Sequence, residues 1–333
     1  MFDIDGTLVD HDGALRDAVS KWLIGGHLAT QNRCDEGLVA LWADVAERHF
    51  PAFRAGEMSF REQRRRRLRE FLPHLNVRAD HMGEHHLVGA PVALVTGASR
   101  GIGAATARLL AKAGYAVAVG YHTDRAAAEE VVASLGGPGI AVAADVGVEG
   151  DVVGMFAEVD DLLGPVSGLV NNAGVVEGGG RVERIDERRL RRVLDANVVG
   201  PFLCCREAVR RMSTAHGGDG GAIVNVSSAA SRLGSAGEYV DYAASKGALD
   251  TLTTGLALEV AAEGIRVNAV RPGFIETEIH ARSGDPDRLA RLTPLIPLGR
   301  PGRPSEVAEA VVWLLSDRAS YVTGAFIDIA GGR

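Results

Sequence analysis

The chain has 333 residues, 42 of them glycine, with 46% hydrophobic side chains and a formal net charge of −7 at pH 7. That length holds one large domain or two smaller ones, and abundant glycine with ordinary apolar content suits an α/β protein. The negative balance speaks against nucleic acid or an anionic membrane as partner, no apolar run is long enough to span a bilayer, and Met1-Phe2-Asp3-Ile4-Asp5 is no signal peptide, so a soluble, cytoplasmic protein is expected.

The N-terminus reads Phe2-Asp3-Ile4-Asp5-Gly6-Thr7. Two carboxylates two apart at a strand end point the same way, and a glycine follows for a turn. Apolar residues then recur at helical spacing: Leu15, Ala18, Val19, Trp22 and Leu23, next Leu38, Leu41, Trp42 and Val45, then Phe60, Leu68, Phe71 and Leu72. The opening motif resembles that of the haloacid dehalogenase-like phosphatases, and the helices resemble the cap that follows it there. The resemblance implies Asp3 as nucleophile and Asp5 as acid/base beside Mg²⁺. It covers only the start of such a domain, because the later Ser/Thr, Lys and paired-acid motifs do not follow. Residues 1–88 therefore read as a mostly helical appendage from an incomplete phosphatase-like segment, as a gene fusion would leave, and no metal ligand is assigned. The run Arg61, Arg64, Arg65, Arg66, Arg67 and Arg69 has Glu62 and Glu70 interspersed and reads as a solvated face. His74, His81, His85 and His86, broken by Met82-Gly83, read as a polar linker between domains 1–88 and 89–333. Among Cys34, Cys204 and Cys205, the adjacent pair makes poor disulfide partners, and a reducing compartment with structural thiols is expected.

From residue 91 strand and helix alternate. The apolar strand Val92–Val95 runs into Thr96-Gly97-Ala98-Ser99-Arg100-Gly101-Ile102-Gly103, and a helix follows up to Gly114. Glycines at 97, 101 and 103 let the backbone turn tightly and approach a pyrophosphate, which the helix N-terminus attracts. A second strand, 115–119, leads to Gly120, Tyr121 and His122, without the acid that binds a ribose 2′-hydroxyl; Asp124 lies further along. A third, 140–144, ends at Asp145-Val146, and a helix spans about 149–163. The fourth, 168–170, ends in Asn171-Asn172-Ala173-Gly174, where the asparagines can bridge neighbouring strands and loops. A long helix, about 187–212, carries Asn197, a poor interior helix residue.

A fifth strand, 222–226, ends in Ser227-Ser228, and the next helix, from about Tyr239, carries Tyr242 and Lys246. Four residues apart on a helix, these stand on one side, so the ammonium lowers the phenol's pKa toward the range of a general acid or base. A sixth strand, 265–270, leads to Arg271-Pro272-Gly273-Phe274-Ile275-Glu276-Thr277. Residues 278–303 form a polar, proline-interrupted segment of the kind that makes lids and binding loops, and a helix at 304–315 and a strand at 325–329 close the chain.

The Gly-x-x-x-Gly-x-Gly loop, Asn-Asn-Ala-Gly, Ser228, Tyr-x-x-x-Lys and the Pro-Gly turn together resemble the short-chain dehydrogenases/reductases over residues 91–333. The resemblance implies a doubly wound, Rossmann-type parallel α/β sheet of about seven strands with the N-terminal helices added outside. It implies catalytic roles for Ser228, Tyr242, Lys246 and Asn197, the last holding a water that relays protons to the lysine. It places cofactor contacts at Gly97, Ser99, Arg100, Gly101, Ile102, Gly103, Tyr121, His122, Asp145, Val146, Asn172, Ala173, Gly174, Tyr242, Lys246, Pro272, Gly273, Ile275 and Thr277. The absent acid and the Arg100 fork favour NADP(H); NAD(H) stays open through Tyr121 or His122. Between Ser228 and Tyr242 lie thirteen residues, Ala229 to Asp241, where many relatives have twelve, so Ser227 is the fallback. The expected reaction is hydride transfer between nicotinamide and a carbonyl or secondary alcohol, with 3-oxoacyl thioesters, sugars and alcohols as substrate classes. A small-molecule substrate and a homotetramer or dimer are expected. A catalytically idle NADP-binding scaffold and a bifunctional phosphatase–reductase are the alternatives.

Overall fold

Short runs of small and β-branched residues form seven strands in the computed structural model. The structure describes residues 90–277 and 288–333, together with Asp44, Val45, Arg48, Arg66 and Glu70. The chain divides into two units, Met1–Gly89 and Ala90–Arg333. In the first unit, Arg48 pairs with Asp44 and Glu70, and Val45 is buried. Asp3 and Asp5, most of the arginine run, and all four linker histidines lie outside the described residues.

In the second unit the strands are β1 Val92–Val95, β2 Ala116–Tyr121, β3 Gly139–Ala143, β4 Val166–Asn171, β5 Gly221–Val226, β6 Ile265–Pro272 and β7 Phe326–Ile329. All pair in parallel, in the order β3-β2-β1-β4-β5-β6-β7. This is the doubly wound, seven-stranded sheet that the alternating pattern implies. The order reverses between β1 and β4, and in such sheets the crevice beyond the strand C-termini at the reversal is where ligands bind.

Side chains alternate across the pleat, so each strand feeds two cores. Ala93 and Val95 of β1 face one way with Leu110, Val119, Val224, Val311 and Leu314. This layer is covered by α1 Gly101–Lys112, α2 Arg125–Ala133 and the C-terminal helix of the unit, Pro304–Leu315. Leu94 faces the other way with Phe156, Met155, Leu169, Cys205, Met212, Ile223 and Val260. There the cover is α3 Glu149–Leu162, α5 Gly200–Met212 and α7 Val240–Val260, while α4 Glu187–Leu194 precedes α5.

Three local features depart from the sequence reading. Helix α2 follows directly on β2; its start is marked by Asp124, whose carboxylate accepts from the Ala127 N–H. The long helix expected at 187–212 is broken into α4 and α5 by a π-helical stretch, Asp195–Val199, around Asn197. A single turn, α6 Ala230–Leu233, occupies the loop after Ser228.

The sheet is threaded by buried polar groups. Asn171 on β4 donates to the Asn225 side chain on β5 at 2.9 Å and to Cys205 Sγ at 3.3 Å, and Asn225 donates to Thr253 at 2.8 Å. The strand-bridging role read for the asparagine pair is thus taken by Asn171. Cys204 and Cys205 are free and buried; burial drives both thiols upward, Cys205 to about 12, so neither ionises near neutrality. Removing Asn225 strips the Asn171 amide of its oxygen acceptor in a dry site. Asn225→Ala is expected to cost about 1–3 kcal/mol, read as a lowered urea midpoint at unchanged slope.

Candidate active site

The cofactor end is built first by geometry that admits only glycine. Gly97 has φ +61°, and a Cβ there would stand 2.8 Å from the Ala173 Cα. A Cβ on Gly103 would meet the Asn172 amide nitrogen at 2.5 Å. That amide is what holds the loop: Asn172 Nδ2 donates to the carbonyls of Thr96 and Gly97 at 2.9 and 2.8 Å. Thr96 Oγ1 in turn accepts from the N–H groups of Asn172 and Ala173, both at 3.0 Å. The first turn of α1 carries no acidic residue of its own, which suits an anion at its N–H groups.

A cavity of about 660 Å³ opens from this loop along the strand C-termini. Every expected cofactor residue except Gly103 lines it: Gly97, Ser99, Arg100, Gly101, Ile102, Tyr121, His122, Asp145, Val146, Asn172, Ala173, Gly174, Tyr242, Lys246, Pro272, Gly273, Ile275 and Thr277. Gly103 lies beneath, packed on Asn172. Thr277 comes back to the glycine loop, where a Cβ on Gly101 would be 3.4 Å from its methyl. Ile275 is buried, and its turn is fixed by Gly302, whose carbonyl accepts from the Glu276 N–H at 2.8 Å. These residues fit a dinucleotide: an anion-ready helix start, a glycine cradle and a crevice crossing the switch point.

At the far end of β2 the sequence reading needs correction. Asp124, set aside there as lying too far along, also lines the cavity, and its carboxylate meets the Arg100 guanidinium at 2.8 Å. The first turn of α2 folds it back onto the glycine loop. His122 Nε2 stands 3.7 Å from Asp145 at the same end.

The other end holds Ser228, Tyr242 and Lys246, all lining the same cavity. The two serines divide by the pleat. Ser227 borders the cavity too, but it is buried and its hydroxyl is committed to Asp250 at 2.6 Å. Ser228 Oγ accepts from the Ala230 N–H at 3.1 Å, which leaves its own O–H to donate. Lys246 is 4% exposed and donates from Nζ to the Val226 carbonyl at 2.8 Å; Nζ lies 5.7 Å from the centroid of the Tyr242 ring. Burial pushes the lysine down to about 8, against the opposing pull of Asp250.

Asn197 is fully buried and does not line the cavity. Its amide accepts from Val175 N–H at 2.8 Å and donates to Val175 O and Ser245 Oγ at 2.9 and 3.0 Å. It borders Gly174, where a Cβ would be 3.2 Å from Asn197 Oδ1 and 3.6 Å from Lys246 Nζ. The cavity is also lined by residues that the motifs did not mark: Val175, Leu233, Tyr239, Phe274, Leu292 and Arg333. Tyr239, three before Tyr242, carries the one local signal, helical spacing.

A crevice that joins an anion-ready glycine loop to a serine, a tyrosine and a buried lysine defines a dinucleotide-dependent oxidoreductase. The comparisons agree. The family model described as enoyl-(acyl carrier protein) reductase matches residues 97–333. An Escherichia coli (strain K12) protein named uncharacterized oxidoreductase YgfF is 60% identical over 245 residues, 73% of this chain and 99% of that protein. Cis-4-hydroxycyclohexanecarboxylate dehydrogenase of Sinomonas cyclohexanicum is 42% identical over 245 residues, 72% of this chain and 95% of its own length. The crystal structure of a Brucella melitensis 3-ketoacyl-(acyl-carrier-protein) reductase complexed with NADH shares 33% identity at a TM-score of 0.69, over 73% of this chain and 98% of that one. The chain belongs to the short-chain dehydrogenase/reductase family and is an oxidoreductase acting on CH–OH groups. The first 96 residues lie outside the family match.

The folded-state pKa of Lys246 is below its ordinary 10.5, so the unfolded chain binds the proton more tightly. The buried ammonium therefore costs stability below about pH 8, and the cost fades as pH rises toward 10.5. Lys246→Met is expected to be about 1–3 kcal/mol more stable than the wild type at pH 7, and the gain should shrink by pH 10 in thermal unfolding.

Proposed function

We propose that the chain reduces a carbonyl to a secondary alcohol with NADP(H), through Ser228, Tyr242, Lys246 and Asn197. The observation that carries the reading is the convergence of Ser228, Tyr242 and Lys246 on the cavity that also reaches the glycine loop. A bound nicotinamide dinucleotide supplies the hydride. The Ser228 O–H, oriented by the bond that its oxygen accepts, donates to the substrate carbonyl and polarises it. The Tyr242 hydroxyl protonates the developing alkoxide oxygen. Lys246, using one of its three donors on Val226, keeps a positive charge beside the phenol and would hold the nicotinamide ribose with another. Asn197 fixes the backbone of Val175 and the Ser245 hydroxyl and borders the glycine that Lys246 borders, where a proton relay would leave the cavity.

NADP(H) is favoured by Arg100 in the glycine loop, whose guanidinium suits a 2′-phosphate. A second reading, NAD(H), is supported by the Asp124 carboxylate on that same guanidinium, an acceptor for a ribose hydroxyl. The relatives support 3-oxoacyl thioesters and cyclic secondary alcohols as substrate classes. An assembly of two or four copies is supported by exposed Phe202 on α5 and Leu258 on α7, apolar side chains that a partner would cover. The buried unpaired thiols fit a reducing, cytoplasmic setting. The intact Ser228, Tyr242 and Lys246 set argues against an idle scaffold.

A panel of ketones and secondary alcohols with each cofactor, followed by NAD(P)H absorbance, tests the reading; no turnover with either cofactor would contradict it. Tyr242→Phe is expected to bind NADPH almost normally and to lose ketone reduction by several orders of magnitude, and full activity would sink the assignment. Arg100→Ala is expected to lower kcat/KM with NADPH by about tenfold or more relative to NADH, as the loss of a charge-assisted phosphate contact requires; an unchanged ratio would favour the NAD(H) reading.

A further inference from the structure

Behind the cavity, three pieces of the site meet on one carboxylate that the mechanism does not use. Asp250 lies one helical turn beyond Lys246 on α7. Its Oδ1 accepts from Ser227 Oγ at 2.6 Å, and Ser227 is the residue before Ser228. Its Oδ2 accepts from Arg271 Nε and Nη2 at 3.0 and 2.8 Å, and Arg271 is the residue before the Pro272-Gly273 turn. The Ser227 hydroxyl also lies 3.4 Å from the Lys246 carbonyl. The side chains of Asp250 and Arg271 are 14% and 16% exposed, so the pair is poorly screened.

We propose that Asp250 is the positioning and charge-setting residue for the Tyr242–Lys246 pair, with Arg271 as its counterweight. The proposal rests on the catalytic reading of that pair. Geometrically, one carboxylate ties the ends of β5 and β6 to the catalytic helix, so the serine, the lysine and the cofactor turn keep one register. Electrostatically, its negative charge sits under a lysine that burial drives toward neutrality, and it opposes that drive. The groups facing the cluster are few. Tyr242 and Lys246 share its helix, and Arg271 comes from β6, stacked 4.0 Å over the Phe326 ring. Asp328 on β7 stands 3.9 Å from Arg271 and is itself paired with Arg232 of α6. Serines 227 and 228, just after β5, and Asn197 in the π-helical stretch are neutral.

A negative charge raises the proton affinity of every group near it. Removing it therefore moves the alkaline limb of the pH–rate profile to lower pH, whether Tyr242 or Lys246 loses the proton. Removing Arg271 uncovers Asp250 and moves the limb the other way. A merely structural Asp250 would lower the rate equally at all pH values.

The test is kcat/KM against pH for the ketone reduced fastest in the panel above, in full-length Asp250→Asn, Asp250→Glu, Arg271→Met, Lys246→Met and Tyr242→Phe. Asp250→Asn is expected to shift the limb to lower pH by about one unit, Arg271→Met to shift it to higher pH, and Asp250→Glu to restore it. An unshifted limb in Asp250→Asn, or shifts of the same sign in Asp250→Asn and Arg271→Met, would overturn the proposal. Should Asp250→Asn fail to fold by circular dichroism, the Arg271→Met shift decides alone, and an unshifted or lowered limb there overturns it. If Lys246→Met and Tyr242→Phe stay active, the catalytic reading itself fails. If they lose activity while Asp250→Asn keeps the wild-type limb, only the role of Asp250 falls.

Discussion

An ammonium group held almost out of water is the constraint on which the rest of this molecule depends. Lys246 is 4% exposed, and a charge so placed costs several kcal/mol unless it is paired or hydrogen-bonded. The fold meets that cost with the Val226 carbonyl at the end of β5 and with the acidic charge of Asp250 one turn along the helix. Neither partner removes the strain on the proton, and the lysine stays easier to deprotonate than in water. The same arrangement sets a positive charge beside the Tyr242 phenol. Stability is lost at the residue on which the proposed chemistry relies, a trade common at sites that tune proton affinities.

Much of this was legible in the chain because the chemistry is local. Tyr242 and Lys246 face one side of a helix by spacing alone, and the glycine loop lies between a clean strand and a clean helix. The parallel, doubly wound sheet of about seven strands was legible in the strand–helix alternation, while the strand order came from the structure. The two serines could be ranked by motif, and the structure adds support for choosing Ser228: the Ser227 hydroxyl is committed to Asp250. What stayed hidden is what the chain brings together from afar. Asp124 was discounted by counting along β2, yet as N-cap of α2 it turns back to Arg100 in the glycine loop. The Asp250–Arg271 pair joins residues 21 apart on a helix and a strand, and no local pattern marks it. The break at Asn197 was foreshadowed by its poor helix propensity, though the π-helical form of the break was not.

The two ends of the cavity divide the functional question. At the Ser228–Tyr242–Lys246 end, hydrogen bonds to Ala230 and Val226 orient the serine and the lysine for the proposed chemistry. The Arg100–Asp124 end balances a cation against an anion, and the proposed cofactor preference rests on that pair. The cavity is also lined by Val175, Leu233, Tyr239, Phe274 and Leu292, apolar and aromatic surfaces with the Arg333 guanidinium 4.7 Å above the Phe274 ring.

The claim at the centre is that the buried ammonium tunes the phenol. It is tested most directly by titrating the Tyr242 hydroxyl itself, with ring-labelled tyrosine followed by NMR and assigned by difference from Tyr242→Phe, in the wild type and in Lys246→Met. The account predicts that Tyr242 ionises well below the ordinary tyrosine range in the wild type and returns to that range or above it in Lys246→Met. Identical titration curves in the two proteins would contradict it.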